Sequence, residues 1–328
     1  MSLDISLKHV LGIYRSPNLI VYRSFSNKDT ITIIGRVVES IEKSTPSSLI
    51  GNALSLLRNY LAKPYNNIEV TIISDSSITK SITNVNGIFE VVVPFAENIR
   101  VKLGEKILSV EIAASSNNAA YGIISDIDDT ILISNSARTL KLLYLLFTKN
   151  AHSRKPFPGV AEFYQALVEN NNPIFYVSSS AWNIYNLLIE FMEINHIPKG
   201  PLLLKEVGGV RSIFKTAGKH GHKSERIKMI LEKYPHLPFI LIGDSGQRDA
   251  EIYSLIAKEY PDRIKVIYIR DVTLRENEIV KKAINTLENK VELVLVKTSK
   301  EAADHALQKG YITKREKENI KEGVVMEQ

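Results

Sequence analysis

The stretch Ile123-Ile124-Ser125-Asp126-Ile127-Asp128-Asp129-Thr130-Ile131-Leu132 decides how this chain folds and what it does. An apolar run predicts a buried strand over residues 121–125, and the chain leaving its carboxyl end presents Asp126 and then Asp128. Open α/β sheets bind ligands at that edge. Apolar neighbours make carboxylates costly there unless a partner compensates them. The stretch therefore predicts a chemical site, although Asp-x-Asp after a strand is also typical of a turn.

A second strand and acidic loop lie in the far half of the chain. An apolar run over residues 238–242 precedes Gly243-Asp244-Ser245-Gly246-Gln247-Arg248-Asp249 and a helical pattern. Clustered carboxylates repel a phosphate unless a divalent cation lies between them, and hard oxygen ligands suit Mg²⁺. For Asp249 alone, the alternative is a first-turn carboxylate that favours the helix dipole. The predicted Mg²⁺ ligands are Asp126, Asp128 through its carbonyl, Asp244 and Asp249.

Hydroxyl groups and a lysine complete the predicted site. The apolar run 173–177 leads into Ser178-Ser179-Ser180, which would offer a hydroxyl to a phosphate oxygen. Lys223 stands at the start of a predicted helix over residues 222–234, where the helix N-terminus already favours anions. The alternatives are an N-cap role for Ser180 and a surface position for Lys223.

These four segments resemble, in order and content, the motifs of the haloacid-dehalogenase superfamily in its phosphatase form. Residues 125–131, 176–182, 221–223 and 240–253 are further similar to the catalytic domain of the actin-patch phosphatidate phosphatase family. The resemblance covers roughly residues 117–275. It implies a three-layer α/β/α sandwich with a parallel sheet, and Mg²⁺-dependent removal of phosphate from phosphatidate to give diacylglycerol.

The resemblance also implies a role for each residue of the site. Asp126 would be the nucleophile that forms an aspartyl-phosphate, and Asp128 the general acid and base. Thr130 would orient the loop, and with Ser178, Ser179 and Lys223 it would hold the transferred phosphoryl group. The implied metal residues are Asp126, Asp128, Asp244 and Asp249.

Basic charge is concentrated in one segment. Residues 199–228 carry eight basic and two acidic side chains, which accounts for the whole net charge of +6. The remainder is neutral by count, so no nucleic-acid partner is expected. The loop before Lys223 suits an anionic headgroup or an anionic membrane surface, with a solvated loop as the alternative. Its candidate headgroup residues are Arg211, Lys215, Lys219 and His222.

An apolar segment lies between the first two motifs. Residues 139–147 would be apolar on all sides of a helix apart from Thr139 and Lys141. Two interpretations stay open, a buried cap helix and a surface that contacts lipid.

The first part of the chain has a different pattern. Short β-branched segments separated by turn residues predict a β-sandwich-like domain over residues 1–116, followed by the phosphatase domain over 117–328. This part holds no acid, base or metal cluster, which favours recognition or scaffolding. The predicted strands are 20–25, 31–38, 68–73, 88–93 and 107–112, with one helix over 49–61. The last fifteen residues are charge-rich and predicted to fray.

Composition narrows the class of protein. With 328 residues and 44% hydrophobic content, the chain can bury two cores. It has no cysteine, which excludes disulfides, thiol catalysis and a cysteine-ligated zinc site. No apolar run reaches the ~20 residues of a membrane helix, and no signal-peptide pattern opens the chain. We therefore expect a cytoplasmic protein with peripheral membrane contact.

The leading hypothesis is a Mg²⁺-dependent phosphatidate phosphatase. A phosphatase for a soluble or nucleic-acid-terminal phosphomonoester is the first alternative. A non-catalytic adaptor with a vestigial site is the second.

Overall fold

The computed structural model describes residues 13–41, 58, 62–115, 119–131, 156–206, 221–272, 278–288 and 290–326. Within them, an N-terminal β-rich region precedes a mixed α/β region. The sequence-predicted helix 49–61 (apart from residue 58), the apolar segment 139–147 and the basic loop 207–220 lie outside the described residues, as does the segment 116–118. In the described part, no helix is long and apolar enough to cross a bilayer.

The β-rich region contains two sheets around a shared hydrophobic core. In the first sheet the strand order is β1-β3-β2-β9 with β6 also paired to β3, and in the second it is β5-β4-β7-β8. Apolar residues of both sheets, such as Ile33 and Val101, are fully buried in one cluster. The strands are β1 Ile13–Val21, β2 Ser24–Ser26, β3 Thr30–Ile41, β4 Glu69–Ser74, β5 Ile78–Ile82, β6 Ile88–Pro94, β7 Ile99–Leu103, β8 Lys106–Ser109 and β9 Ile112–Ser115.

A six-stranded sheet, parallel throughout, forms the centre of the α/β region. Its order is β12-β11-β10-β13-β14-β15. The two strands at its middle, β10 and β13, are entirely buried, because they are continuous apolar runs covered on both faces. The strands are β10 Gly122–Ser125, β11 Ile174–Ala181, β12 Leu202–Lys205, β13 Phe239–Asp244, β14 Ile264–Arg270 and β15 Glu292–Val296.

The seven α-helices of the described part include two contact groups of three. These helices are α1 Val160–Val168, α2 Tyr185–Ile194, α3 Gly221–Lys233, α4 Asp249–Glu259, α5 Glu278–Leu287, α6 Ser299–Gln308 and α7 Lys314–Met326. α1, α6 and α7 contact one another, whereas α4 contacts α3 and α5. From β10 the chain moves to β11 and then to β12, toward one edge of the sheet. After β12 it returns to β13 beside β10 and moves on through β14 to β15 at the opposite edge. Right-handed crossovers then assign α1 and α2 to one face and α3 to α5 to the other.

Several sequence predictions about elements are corrected. The segment 20–25 is not one strand, since β1 ends at Val21 and β2 begins at Ser24. The segment 107–112 is not one strand, since β8 and β9 belong to different sheets. The last fifteen residues do not fray over 314–326, because α7 packs on α1 and α6 and buries Ile320 completely. The short strand β12 was not predicted. The predictions of a parallel α/β sheet and of an N-terminal β-rich region are confirmed.

Aromatic stacking joins the β-rich region to the α/β region. The Tyr22 ring stacks on Trp182 with centroids 4.3 Å apart, and it also contacts Tyr185 at 4.4 Å. The Tyr185 hydroxyl accepts a hydrogen bond from the Arg23 amide, and Arg36 donates to the Asn183 side chain. Because Trp182 follows directly after β11, the β-rich region supports the end of a strand that carries predicted site residues.

Candidate active site

The register of the central strands brings the sequence-predicted residues to one edge. Ser125 at the end of β10 lies beside Tyr176 of β11 and Ile242 of β13. Asp126, Ser178 and Asp244 follow within two residues of these positions and are completely buried. β10 and β13 flank the point at which the strand order reverses, where open α/β sheets bind ligands.

Three carboxylates form a buried acidic cluster that meets the requirements of a divalent cation. Asp126, Asp244 and Asp249 each offer an oxygen, and these oxygens lie within 4.8 Å of one another. Asp126 Oδ2, the Asp128 carbonyl and Asp244 Oδ2 surround Gln247 Nε2 at 3.2, 3.1 and 3.1 Å. An amide nitrogen has only two hydrogens for these three acceptors. This surplus of hard oxygens is suited to a divalent cation.

Lys223 pairs with two of the acidic residues. Its Nζ donates to Asp126 Oδ1 at 3.0 Å and forms a close ion pair with Asp249. The lysine is 3% exposed, so it is not the surface residue of the alternative interpretation. Burial alone would lower the pKa of Lys223, but the carboxylates of Asp126 and Asp249 together raise it. The site therefore retains one fixed positive charge.

Burial raises the pKa of the acidic groups. The pKa of Asp244 is raised to about 7, first by burial and then by the nearby Asp249 carboxylate. The pKa of Asp126 is raised well above its ordinary value by burial, against the opposing effect of Lys223. The carboxylates repel one another in a dry environment, and a divalent cation would relieve that repulsion.

Two serines of β11 hold the side chain of Asp128. Ser178 Oγ and Ser180 Oγ each donate to Asp128 Oδ2 at 2.9 Å. Ser180 belongs to β11, so the N-cap interpretation is wrong. Burial raises the pKa of Asp128 and the two serine hydrogen bonds oppose this rise. Ser179 is exposed, because successive side chains of a strand point to opposite faces.

The loop after Asp128 has a constrained backbone. Asp129 adopts a left-handed conformation with φ of 56°, which is uncommon for a residue other than glycine and concentrates at functional sites. The carbonyl of Thr130 accepts from Arg270 Nε at 3.2 Å, and the Arg270 guanidinium lies 4.2 Å from the Phe157 ring centroid. The Thr130 hydroxyl is buried and has no hydrogen-bond partner among the described residues.

Gly243 is required by a close approach of α4 to β13. A Cβ atom at this position would lie 2.5 Å from Asp249 Oδ2 and 2.8 Å from the Tyr253 ring. Only glycine lets Asp249 reach the acidic cluster in this arrangement. This glycine therefore makes room for a carboxylate of the helix that follows.

The basic segment does not form a single patch in the described residues. Arg226 pairs with Glu90 at 2.6 Å and Lys228 with Glu259 at 2.6 Å, so these charges are compensated. His222 is half-buried, and burial lowers its pKa to about 4, so this candidate headgroup residue is neutral at pH 7. The other candidate headgroup residues, Arg211, Lys215 and Lys219, lie outside the described part.

Sequence reasoning missed three residues of the site, namely Gln247, Ser180 and Arg270. Gln247 was quoted within its motif but given no role, although its side-chain nitrogen contacts all three converging oxygens. No pattern in the sequence marks Arg270, which is buried at the end of β14 and holds the Thr130 carbonyl.

The fold and the site define the class of this protein. It is an α/β protein in which buried carboxylates and a buried lysine lie at the carboxyl edge of a parallel sheet. Residues 121–271 match the family model described as "Phosphatidate phosphatase APP1, catalytic domain". This match confirms the predicted resemblance to that catalytic domain over residues 121–271.

Two curated fungal proteins are similar to this chain. The phosphatidate phosphatase APP1 of Saccharomyces cerevisiae is 33% identical over 178 residues, which cover 51% of this chain and 30% of the yeast protein. An uncharacterized protein of Schizosaccharomyces pombe is 28% identical over 180 residues, which cover 53% of this chain and 29% of that protein. The chain thus spans less than a third of the length of either relative.

A solved structure, a carbohydrate acetylesterase from Xanthomonas citri, aligns over 83% of this chain and 74% of its own. Its TM-score of 0.27 and identity of 11% are too low to bear on fold or function.

Proposed function

We propose that this chain is a Mg²⁺-dependent phosphatidate phosphatase that works through an aspartyl-phosphate on Asp126. The observation that carries the proposal is the position of Asp126. One of its oxygens contacts Lys223, and the other contacts the Gln247 nitrogen that also contacts the Asp128 carbonyl and Asp244. A nucleophile, a fixed cation and a set of hard oxygen ligands therefore meet at one point. Phosphoryl transfer needs mainly such positioning and charge neutralisation.

Within the proposal, the α/β region is a three-layer sandwich of the haloacid-dehalogenase type. Its domain would extend over residues 117–328, and the β-rich domain over 1–116. Support comes from the all-parallel sheet and from helices in two contact groups. The β-rich domain serves as a scaffold, since Tyr22 and Arg36 contact the segment that follows the β11 serines.

The reaction proceeds in two displacements. A carboxylate oxygen of Asp126 attacks phosphorus, the new O–P bond forms, and the bond from phosphorus to the diacylglycerol oxygen breaks as Asp128 gives that oxygen a proton. Water then attacks phosphorus and Asp128 takes its proton, which frees Asp126 and inorganic phosphate. The raised pKa of Asp128 supports the first role, because a proton must be present to be donated.

The cation would be held by Asp126, the Asp128 carbonyl, Asp244 and Asp249. Bound there, Mg²⁺ supplies charge neutralisation between the carboxylates and the phosphate. Lys223 would neutralise a second phosphate oxygen, and Ser178 with Thr130 would complete the phosphate site. The Thr130 hydroxyl has no partner among the described residues, which leaves it as a donor for a phosphate oxygen.

The substrate headgroup would extend from Lys223 toward the start of α3. A cavity of about 690 Å³ at the start of α3, a volume typical of small-molecule sites, is lined by Lys205, His222 and Arg226 together with the acidic residues Glu206 and Glu225. We place Arg211, Lys215 and Lys219 as contacts for the glycerol phosphate or for an anionic membrane surface.

The test compares phosphatidate in mixed detergent micelles with a panel of soluble phosphomonoesters, each with Mg²⁺ and with a chelator. We expect Mg²⁺-dependent phosphate release from phosphatidate and none from Asp126→Asn. Soluble esters that react faster by orders of magnitude would contradict the lipid substrate. Activity that survives Asp126→Asn would contradict the mechanism.

A further inference from the structure

The carboxamide of Gln247 lies at the point where the site's oxygens converge. Its Nε2 is within 3.2 Å of Asp126 Oδ2, the Asp128 carbonyl and Asp244 Oδ2. These partners are 121, 119 and 3 positions away in the sequence. Gln247 is therefore the one described side chain that ties the loop after β10 to the loop after β13 through these three oxygens.

The two oxygens of Asp244 have separate partners. Oδ1 accepts from the backbone amides of Gly246 and Gln247 at 2.7 and 2.8 Å, which fixes the carboxylate in place. Oδ2 is left to face the Gln247 side chain. The backbone of the loop thus orients Asp244 independently of the Gln247 carboxamide.

The chemistry of the contact is unusual for a structural glutamine. All three partners are acceptors, and two of them are carboxylate oxygens, whereas the amide nitrogen can give only two hydrogens. A neutral donor compensates two buried carboxylates poorly. The same three oxygens are those that would bind the cation of the proposed function.

We infer that Gln247 is a placeholder ligand, a side chain that holds the cation site together when no cation is bound and leaves its centre when one binds. The inference rests on the proposed function, because it concerns the same cation. An N–H donor and a cation cannot occupy one point, so the carboxamide competes with the metal. Gln247 is half-buried, which gives its side chain a path toward solvent.

Removal of the Gln247 carboxamide should have two opposite effects, on the stability of the metal-free protein and on its affinity for the cation. Removal of the carboxamide leaves the carboxylates of Asp126 and Asp244 without this donor, so the metal-free protein is less stable. The same removal ends the competition, so a cation binds more tightly. In the unmodified protein the cation must displace two hydrogen bonds of the Gln247 carboxamide. Without them, the affinity for the cation should rise about tenfold.

The experiment measures Mn²⁺ binding by electron paramagnetic resonance, together with thermal unfolding, for the full chain and two variants. Gln247→Ala should bind Mn²⁺ about tenfold more tightly than the unmodified protein and melt at a lower temperature when metal-free, and saturating Mn²⁺ should remove most of that melting difference. Arg248→Ala is the matched control, since this neighbour is exposed and pairs with Glu251. It should bind Mn²⁺ as the unmodified protein does.

Two results would overturn the inference in distinguishable ways. Equal or weaker Mn²⁺ binding by Gln247→Ala, with normal binding by the other two proteins, would show that Gln247 is not a competitor and leave the proposed function intact. No Mn²⁺ binding by any of the three proteins would overturn the metal dependence of the proposed function together with the inference. If Gln247→Ala fails to fold, Gln247→Asn, with a side chain one methylene shorter, replaces it under the same criteria.

Discussion

Lys223 Nζ donates to Asp126 Oδ1 across 3.0 Å, although 97 positions separate the two residues in the chain. The contact joins the first turn of α3 to the end of β10. Both side chains are almost fully buried. The pair is therefore a structural link as well as a proposed part of the phosphate site.

Removal of the lysine charge should destabilise the protein. Lys223→Met leaves Asp126 and Asp249 buried without their cation, and we expect a loss of about 3 kcal/mol or more in the free energy of unfolding. Urea denaturation without metal measures it. In the background of Asp126→Asn the same substitution should cost less, because one of the two unpaired charges is gone. An equal cost in both backgrounds would contradict the coupling of this pair.

Stability without metal should fall as the pH rises through 7. The pKa of Asp244 is raised to about 7 in the folded protein, compared with about 3.9 in an unfolded chain. Between these values the folded state binds more protons, so protonation stabilises it at low pH and the effect is lost as the pH passes the folded pKa.

Melting temperatures at pH 6.5 and 8.5 test this, with Asp244→Asn as the control that cannot titrate. The unmodified protein should lose more stability between the two pH values than the variant does. The titration of His222, whose lowered pKa has the opposite sign, is common to both proteins and cancels in the comparison. Added Mg²⁺ should restore the unmodified protein at pH 8.5. Identical pH dependence in both proteins would contradict the raised pKa.

Gly243→Ala should displace a ligand of the proposed cation site without replacing any of the ligand residues. The new Cβ would overlap Asp249 Oδ2 and the Tyr253 ring, and overpacking of this kind costs about 1–3 kcal/mol. We expect weaker Mg²⁺ binding by calorimetry and a lower melting temperature. Gly221→Ala, where the nearest atom is a flexible carboxylate oxygen at 3.3 Å, is the matched control. Undiminished binding in Gly243→Ala would exclude a role for this close approach.

The contact between Tyr22 and Trp182 should couple the β-rich region to activity. Tyr22→Ala removes a fully buried ring at a cost of about 3 kcal/mol. Trp182 is the chain's single tryptophan, so its fluorescence emission reports this site and should shift to longer wavelength. Phe95→Ala, a change at a ring 41% exposed in the β-rich region, should alter neither the emission nor the turnover. Normal turnover in Tyr22→Ala would mean that the β11 segment does not depend on this support.

Sequence patterns were sufficient to predict the positions of the site residues that follow apolar strands. Asp126 and Asp244 each come directly after a continuous apolar run, and parallel strands place their carboxyl ends at one edge. The positions of Gln247 and Arg270 were not predictable in this way. Their partners lie 121 and 140 positions away, and only the register of the folded sheet brings them together.

Local signals were misleading where tertiary contacts decide the structure. A serine before helically spaced apolar residues indicates an N-cap, yet β11 continues through Ser180 to Ala181, which pairs with Lys205 of β12. The charged C-terminal segment predicts fraying, but Ile320 anchors α7 between two other helices. An isolated isoleucine among charged residues gives too weak a periodicity to be recognised.

Direct chemical trapping at Asp126 tests the central claim most directly. Rapid quenching of the unmodified protein during turnover of phosphatidate with Mg²⁺ should capture the intermediate. The unmodified protein is used because Asp128 serves both the formation and the hydrolysis of the phosphorylated enzyme. Reduction with borohydride converts an aspartyl-phosphate to homoserine, which peptide mass spectrometry locates. The account predicts homoserine at position 126, dependent on Mg²⁺ and on phosphatidate. Turnover without modification at that position, or modification of a different residue, would contradict it.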